Sequence, residues 1–360
     1  MLADVEQVIQ IVRQSTFAAS TSDVHVNGND APWYRVDGVI ARMDLPHIEA
    51  ESIRFFCETH LSKKEYERLN GILGAADGAI AHPTLGAIRI HAFRAENGLA
   101  LSLRLLREAL PELAMLGLPE IVSTFAGFSS GLVLFTGPTG CGKSTVLAAL
   151  INEINKKYPR HVLTVEDPIE YRHRSMKSLI RQREIGRDVS SYAESLRGLL
   201  RADPDVILIG ELRDPEVMSA CLQASETGHL VFSTLHTSEA AETVQRIVGV
   251  FEGSRQEQVR VQLAQALQAI VSLRLVPDSS GRGRRAACEV LLNSSAVRSQ
   301  LMSPEKAVQI RNTIETSRKE GMQTLEMDLT RLVANDLISY EAAIAASDYP
   351  DQIRIAAGAR

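Results

Sequence analysis

The chain has few of the residues that mark special environments. Its four cysteines, Cys57, Cys141, Cys221 and Cys288, stand far apart, and no two form a CxxC pair. That spacing excludes a zinc ribbon and a thioredoxin-type dithiol, and scattered thiols in a long chain point to a reducing compartment. Aromatic residues make up 5% of the total and Trp33 is the single tryptophan, so little is available to stack nucleic-acid bases. A basic excess is missing too: 39 Lys and Arg against 44 Asp and Glu leave a net charge of −5, a poor match to a phosphate backbone. No apolar run approaches the roughly 20 residues that span a bilayer. The N-terminus carries Asp4 and Glu6 where a signal peptide has basic residues, so a cytoplasmic protein is expected. Internal repeats and low-complexity segments are also lacking.

What is present suits a soluble globular protein. Its 360 residues, 45% of them hydrophobic, correspond to two or three domains at about 100–200 residues each. Residues 3–20 read as an amphipathic helix, with Val5, Val8, Ile9, Val12 and Phe17 on one side. Asp4 and Glu6 would be repelled by anionic headgroups, so this helix is expected to pack on its own domain. Short strands follow at 23–26, 33–36 and 39–43, the last two joined by Asp37-Gly38, a hairpin signal. Helices are expected at 49–59 and 63–73, and a strand pair at 87–93 and 100–106. The first domain is thus α+β over residues 1–109, with 110–120 as a linker or hinge rich in Pro and Gly.

From Gly131 the pattern changes. Apolar runs at 132–135, 162–165, 206–209 and 230–232 alternate with helical stretches, which indicates a parallel sheet covered on both faces. Residues 255–273 read as one long Gln-rich helix, a hairpin with 281–285 at its tip follows, and the chain is mostly helical from 294. Residues 121–360 form the second domain.

The most specific motif is Gly137-Pro138-Thr139-Gly140-Cys141-Gly142-Lys143-Ser144, followed by Thr145. It matches GxxxxGK[ST], follows an apolar strand and opens a helix over about 143–157, the context that separates a P-loop from a chance match. Backbone N–H groups and the helix N-terminus would cradle phosphate oxygens, Lys143 would reach the β and γ phosphates, and Ser144 would hold Mg²⁺. ATP and Mg²⁺ are therefore the expected ligands. Ligands of open parallel sheets bind at the carboxyl ends of strands. Two such ends carry acids: 206–209 leads into Glu211, and 162–165 into Glu166. Either could polarise the attacking water, Glu211 also facing Mg²⁺ directly or through water, and sequence does not rank them. His229 and His236 flank a third strand.

These segments, in this order, resemble the ATPases of the type II/IV secretion superfamily, and within it the PilT-type pilus retraction motors. GPTGCGKST (137–145) is similar to the family's Walker A motif, TVEDPIEY (164–171) to its Asp box, DPDVILIGELRDPE (203–216) to its Walker B motif and ETGHLVFSTLHTSEAAETVQRI (226–247) to its His box. SDVHV (22–26), YRVDGVI (34–40) and GMQTLEMDL (321–329) extend the likeness over nearly the whole chain. The resemblance implies a PAS-like N-terminal domain followed by a RecA-like P-loop ATPase domain, with nucleotide in the cleft between them. It implies a homohexameric ring that works on an inner-membrane platform protein and hydrolyses ATP to power pilus retraction and twitching motility. By motif position Glu211 is the Walker B glutamate, Glu166 the Asp-box glutamate, and His229 and His236 the His-box histidines; Arg89 and Arg104 match N-terminal-domain arginines that reach the nucleotide. The missing CxxC sets the chain apart from the zinc-bearing extension and secretion branch, so no zinc is expected. The AIRNLIRE-like segment of retraction motors is reduced to Ala296-Val297-Arg298-Ser299-Gln300-Leu301-Met302-Ser303, which leaves type IVB secretion and conjugation ATPases open. Two further readings are a RecA-like nucleic-acid motor, for which Arg282, Gly283, Arg284 and Arg285 are the one basic cluster found, and a nucleotide-gated scaffold.

Overall fold

The computed structural model describes residues 4–15, 21–72, 74–82, 86–96, 98–105 and 110–353. The chain divides into two compact units, Met1–Ala109 and Leu110–Arg360.

In the first unit, α1 (Val5–Gln14) starts at a capping box between Asp4 and Gln7 and buries Val5, Val8, Ile9 and Val12. The helix expected over 3–20 ends at Gln14, with Ser15 extended as its cap, and Phe17 lies outside the described residues. Strands β1 (Thr21–Asn27), β2 (Trp33–Val36) and β3 (Val39–Arg42) precede helices α2 (Ala50–His60) and α3 (Lys63–Asn70). Strands β4 (Ala75–His82), β5 (Gly86–Ala95) and β6 (Gly98–Leu105) complete an antiparallel sheet in the order β3-β2-β1-β6-β5-β4. Asp37 and Gly38 both have positive φ, 49° and 87°, which gives the β2–β3 turn the twist a tight hairpin needs. Alternation then sorts the faces. Val24, Val26, Ile88, Ile90, Leu101 and Leu103 are buried in the core with α1 and α2, while Asp23, Arg89 and Arg104 lie on the other face. Strand β4 escapes the sequence reading because Ala-Ala-Asp-Gly-Ala-Ile-Ala-His has little bulk to alternate; its backbone pairing with β5 sets it instead.

The second unit begins inside the stretch expected as a linker. Leu113 is buried in its core, and Glu112 pairs with Lys156 at 2.5 Å. A short helix α4 (Ile121–Thr124) leads to β7 (Gly131–Thr136) and α5 (Lys143–Lys157). Next come β8 (His161–Glu166), β9 (Leu179–Glu184), α6 (Tyr192–Leu199), β10 (Val206–Ile209), α7 (Pro215–Glu226) and β11 (Leu230–Leu235). After α8 (Ala240–Gly249) and α9 (Gly253–Ala266), β12 (Leu267–Pro277) and β13 (Arg284–Leu292) form a hairpin. Helices α10 (Ser295–Met302), α11 (Ile310–Thr316), α12 (Leu325–Ala334) and α13 (Tyr340–Ala346) close the unit. The sheet order is β13-β12-β7-β11-β10-β8-β9, parallel except for β13. Alternate β7 residues feed two cores, Leu132 and Leu134 one, Val133 and Phe135 the other, so the strand is apolar throughout.

Two expectations need correction. The helix read over 255–273 ends at Ala266, and Leu267 starts a strand with no Gly or Pro at the junction. From there Ala269, Val271 and Leu273 enter one core while Ile270 enters the other, so period two replaces the helical period. Strand β9 was not expected, because Leu-Ile-Arg-Gln-Arg-Glu is charged and buries only Ile180; it is an edge strand fixed by its parallel pairing with β8.

Candidate nucleotide site

The P-loop leaves β7 at Gly137, whose φ is +133° and whose substitution would push a Cβ to 2.4 Å from the Leu273 carbonyl oxygen. No residue but glycine fits there. Gly142, at φ +98°, serves as N-cap of α5 without a side chain and leaves the first helical turn open to an anion. Lys143 is buried, and its Nζ donates to the carbonyl oxygens of Gly137 (2.6 Å) and Pro138 (3.1 Å). Desolvation lowers its pKa, with the charges of Cys141 and Glu211 acting the other way. An ammonium held only by carbonyls is poised for an anionic oxygen. Cys141 is buried beside Gly137, and burial pushes its thiol up. The Ser144 side chain is exposed, while the Thr145 hydroxyl lies 3.1 Å from that of Tyr171.

The neighbouring strand ends carry the acids. Ser233 and Thr234 hydroxyls bind the Ile209 and Gly210 carbonyls and Gly210 N donates to the Val165 oxygen at 2.8 Å, which locks β8, β10 and β11 together at this edge. Glu166 at the end of β8 accepts from Thr164 Oγ1 (2.6 Å) and Gln182 Nε2 (3.1 Å). Burial pushes its pKa to about 7 in spite of those bonds. Glu211 past β10 differs. Burial alone would raise its pKa, but the hydrogen bond from Arg213 at 2.7 Å and the charge of His236 outweigh that and hold it below the usual value. His236 connects the parts, with Nε2 at 3.4 Å from Glu211 and Nδ1 at 3.5 Å from the Thr139 hydroxyl of the P-loop.

Lys143, Glu211 and His236 thus meet at one sheet edge, with Glu166 at the next strand end. His229 does not join them. It precedes β11, so the six residues of that strand, ~20 Å at about 3.3 Å each, separate it from His236. There it binds the Ala224 oxygen at 3.0 Å and closes the turn after α7. In the first unit Arg89 and Arg104 stand directly opposite each other on β5 and β6, and Arg104 Nε binds Asp23 at 3.0 Å. Sequence reasoning did not pick out Thr164, Gln182 or Arg213. Gln182 was hidden on the unrecognised β9, whereas Arg213 stood two residues from Glu211 in plain view.

This site belongs to a recognisable group. The family described as "Type II/IV secretion system protein" matches residues 2–344. The chain belongs to this family. Among secretion-family relatives, it is 40% identical over 336 residues to the "Twitching motility protein" of Neisseria gonorrhoeae, covering 93% of this chain and 89% of the relative. It is 39% identical over 330 residues to the "Type IV pilus retractation ATPase PilT" of Pseudomonas aeruginosa, covering 92% and 95%. The crystal structure of "the Pilus Retraction Motor PilT and Bound ADP" superposes with a TM-score of 0.86 at 37% identity, covering 97% of this chain and 98% of that one. The secretion-family α/β architecture is thus shared over 97% of the chain, an N-terminal sheet domain followed by a P-loop ATPase domain. Among the described residues, no helix is long and apolar enough to cross a membrane.

Proposed function

We propose that this chain is an ATP-hydrolysing ring motor that powers retraction of a type IV pilus and works on a platform protein of the inner membrane. The observation that carries the reading is the pair of strand-end carboxylates beside the P-loop, held in opposite protonation tendencies. Glu166, poised near neutral pH, suits a general base; Glu211, held ionised, suits a cation or the ordering of water. The donor set fits Mg²⁺ of the phosphate-bound kind: one hydroxyl, Ser144, and one carboxylate, Glu211, leave the other positions to phosphate oxygens and water. When bound, Mg²⁺ neutralises charge on the transferring phosphate.

The chain's own groups do the remainder. Lys143 exchanges its carbonyl partners for phosphate oxygens. Glu166 takes the proton from water as its oxygen attacks the γ phosphorus and the bond to ADP breaks. His236 reports occupancy, because a contact to the γ phosphate would compete with its hold on Thr139 and Glu211. Arg89 and Arg104 are kept as proposed phosphate contacts; no side-chain partner of Arg89 occurs among the described residues. His229 is proposed to close its turn and to act only structurally within this chain.

Deletion of the gene followed by a count of surface pili tests the retraction role. Hyperpiliated cells that no longer twitch are expected. Bald cells, or lost plasmid transfer with normal pili, overturn it in favour of extension, conjugation or type IVB secretion.

A further inference from the structure

The charge balance of the whole chain hides a local reversal. Residues 172–183, Arg-His-Arg-Ser-Met-Lys-Ser-Leu-Ile-Arg-Gln-Arg, carry five formal cations and no carboxylate, in a chain whose net charge is −5. Arg172, Arg174, Lys177 and Arg181 are exposed, and none has a side-chain partner among the described residues. The backbone beneath them is fixed. Fully buried Asn155 donates from Nδ2 to the Arg174 oxygen (2.7 Å) and accepts at Oδ1 from Met176 N (2.8 Å), while its own carbonyl accepts from Lys177 N (3.0 Å). Ser178 Oγ donates to the Tyr158 oxygen at 2.6 Å. Two outward N–H groups of β9 are already engaged, Ile180 N with Ser175 Oγ and Glu184 N with Asp188, both at 2.9 Å. The cations beside them offer recognition through side chains.

We propose that this strip is a docking surface for a carboxylate-rich segment of a protein partner. Four of its five cations are arginines, whose planar forks match carboxylates two bonds at a time. Met176 and Leu179, 55% and 44% exposed, supply apolar contact between the charges. Carboxylates bound the strip in sequence, Glu170 before it and Glu184 and Asp188 after it, the last two paired with Arg187, so the unpartnered cations form a narrow run that suits an acidic segment. Bordering Tyr171 is buried, which leaves no aromatic platform for bases.

The test compares the full chain with a variant carrying Arg172→Gln, Arg174→Gln, Lys177→Gln and Arg181→Gln. The probe is a fluorescein-labelled Asp/Glu-rich peptide read by anisotropy over a salt series. The parental chain should bind it with an affinity that falls as salt rises, and the variant about tenfold more weakly or worse, which corresponds to ~1.4 kcal/mol. An Arg282→Gln/Arg284→Gln variant should keep parental affinity, and unchanged melting of the quadruple variant shows that it is folded. Equal affinity of the quadruple variant overturns the proposal. So does tighter parental binding to phosphatidylglycerol vesicles or to single-stranded DNA than to the peptide, or a quadruple variant that loses its oligomeric size, which would make a second copy the occupant.

Discussion

The ends of β8 and β10 lie side by side in one parallel sheet, yet they hold their carboxylates in opposite states. Glu166 is half-buried, and its two partners, Thr164 and Gln182, are neutral. Glu211 is partly open, and its partners Arg213 and His236 are a cation and a titratable ring. Burial raises both; at Glu166 it outweighs two neutral donors, whereas at Glu211 the cation and the ring outweigh it. A strand end in a parallel sheet is a position, and the neighbouring side chains turn that position into a base or an anion.

The strongest way to break the comparison is to neutralise each acid in turn. Both Glu166→Gln and Glu211→Gln should retain ATP binding and lower turnover by about 10²–10⁴-fold, the range for loss of a positioned proton acceptor or charge. They should differ in how the residual rate responds. Glu211→Gln should need more Mg²⁺ for half-maximal residual turnover, whereas Glu166→Gln should keep the parental Mg²⁺ requirement and lose the rise in rate near pH 7. Turnover by the purified protein over Mg²⁺ and pH series measures both. The same Mg²⁺ response in the two variants would show that the acids are interchangeable.

How much of this could be read in advance divides along the same line. The P-loop was legible to the residue, because glycine spacing, strand and helix are all local: α5 begins at Lys143 and ends at Lys157 as expected. Glu166 and Glu211 were legible as acids at strand ends. Their different states were not, since Gln182 reaches Glu166 from a strand too charged to announce itself and burial depends on the whole fold. His229 and His236 looked equivalent in sequence, but only the second follows its strand, at the edge where the P-loop opens. The β12 strand was hidden by a helical pattern running into it without a breaker.

A smaller effect sharpens the account of Glu166. Gln182→Leu removes a donor that favours the charged carboxylate, so the pKa of Glu166 should rise above its present value of about 7. A base must be deprotonated to act, so turnover near pH 7 should fall about 3- to 10-fold, as loss of one hydrogen bond of ~1 kcal/mol implies. The rate should recover as pH rises toward 9. A loss that is uniform across pH would place Gln182 in structure alone.

The smallest effect separates burial from chemistry. Glu289 is buried, and burial pushes its pKa to about 7 as it does at Glu166, with Glu239, Arg311 and Glu326 the charged groups around it. Its task is different, because its Oε1 accepts from Ala240 N at 2.7 Å and caps α8. A carboxyl whose folded pKa lies above its unfolded value favours the folded state at low pH. That contribution fades as pH rises from about 4.5 through 7, where the ionised form must stay buried. Glu289→Gln keeps an oxygen for Ala240 and removes the ionisation, so it should stabilise the protein by about 1–3 kcal/mol at pH 8 and by much less at pH 5. Thermal melting at the two pH values measures this. Turnover should stay at the parental level, in contrast to Glu166→Gln, because a raised pKa confers basicity on the reaction only where the group faces the phosphate.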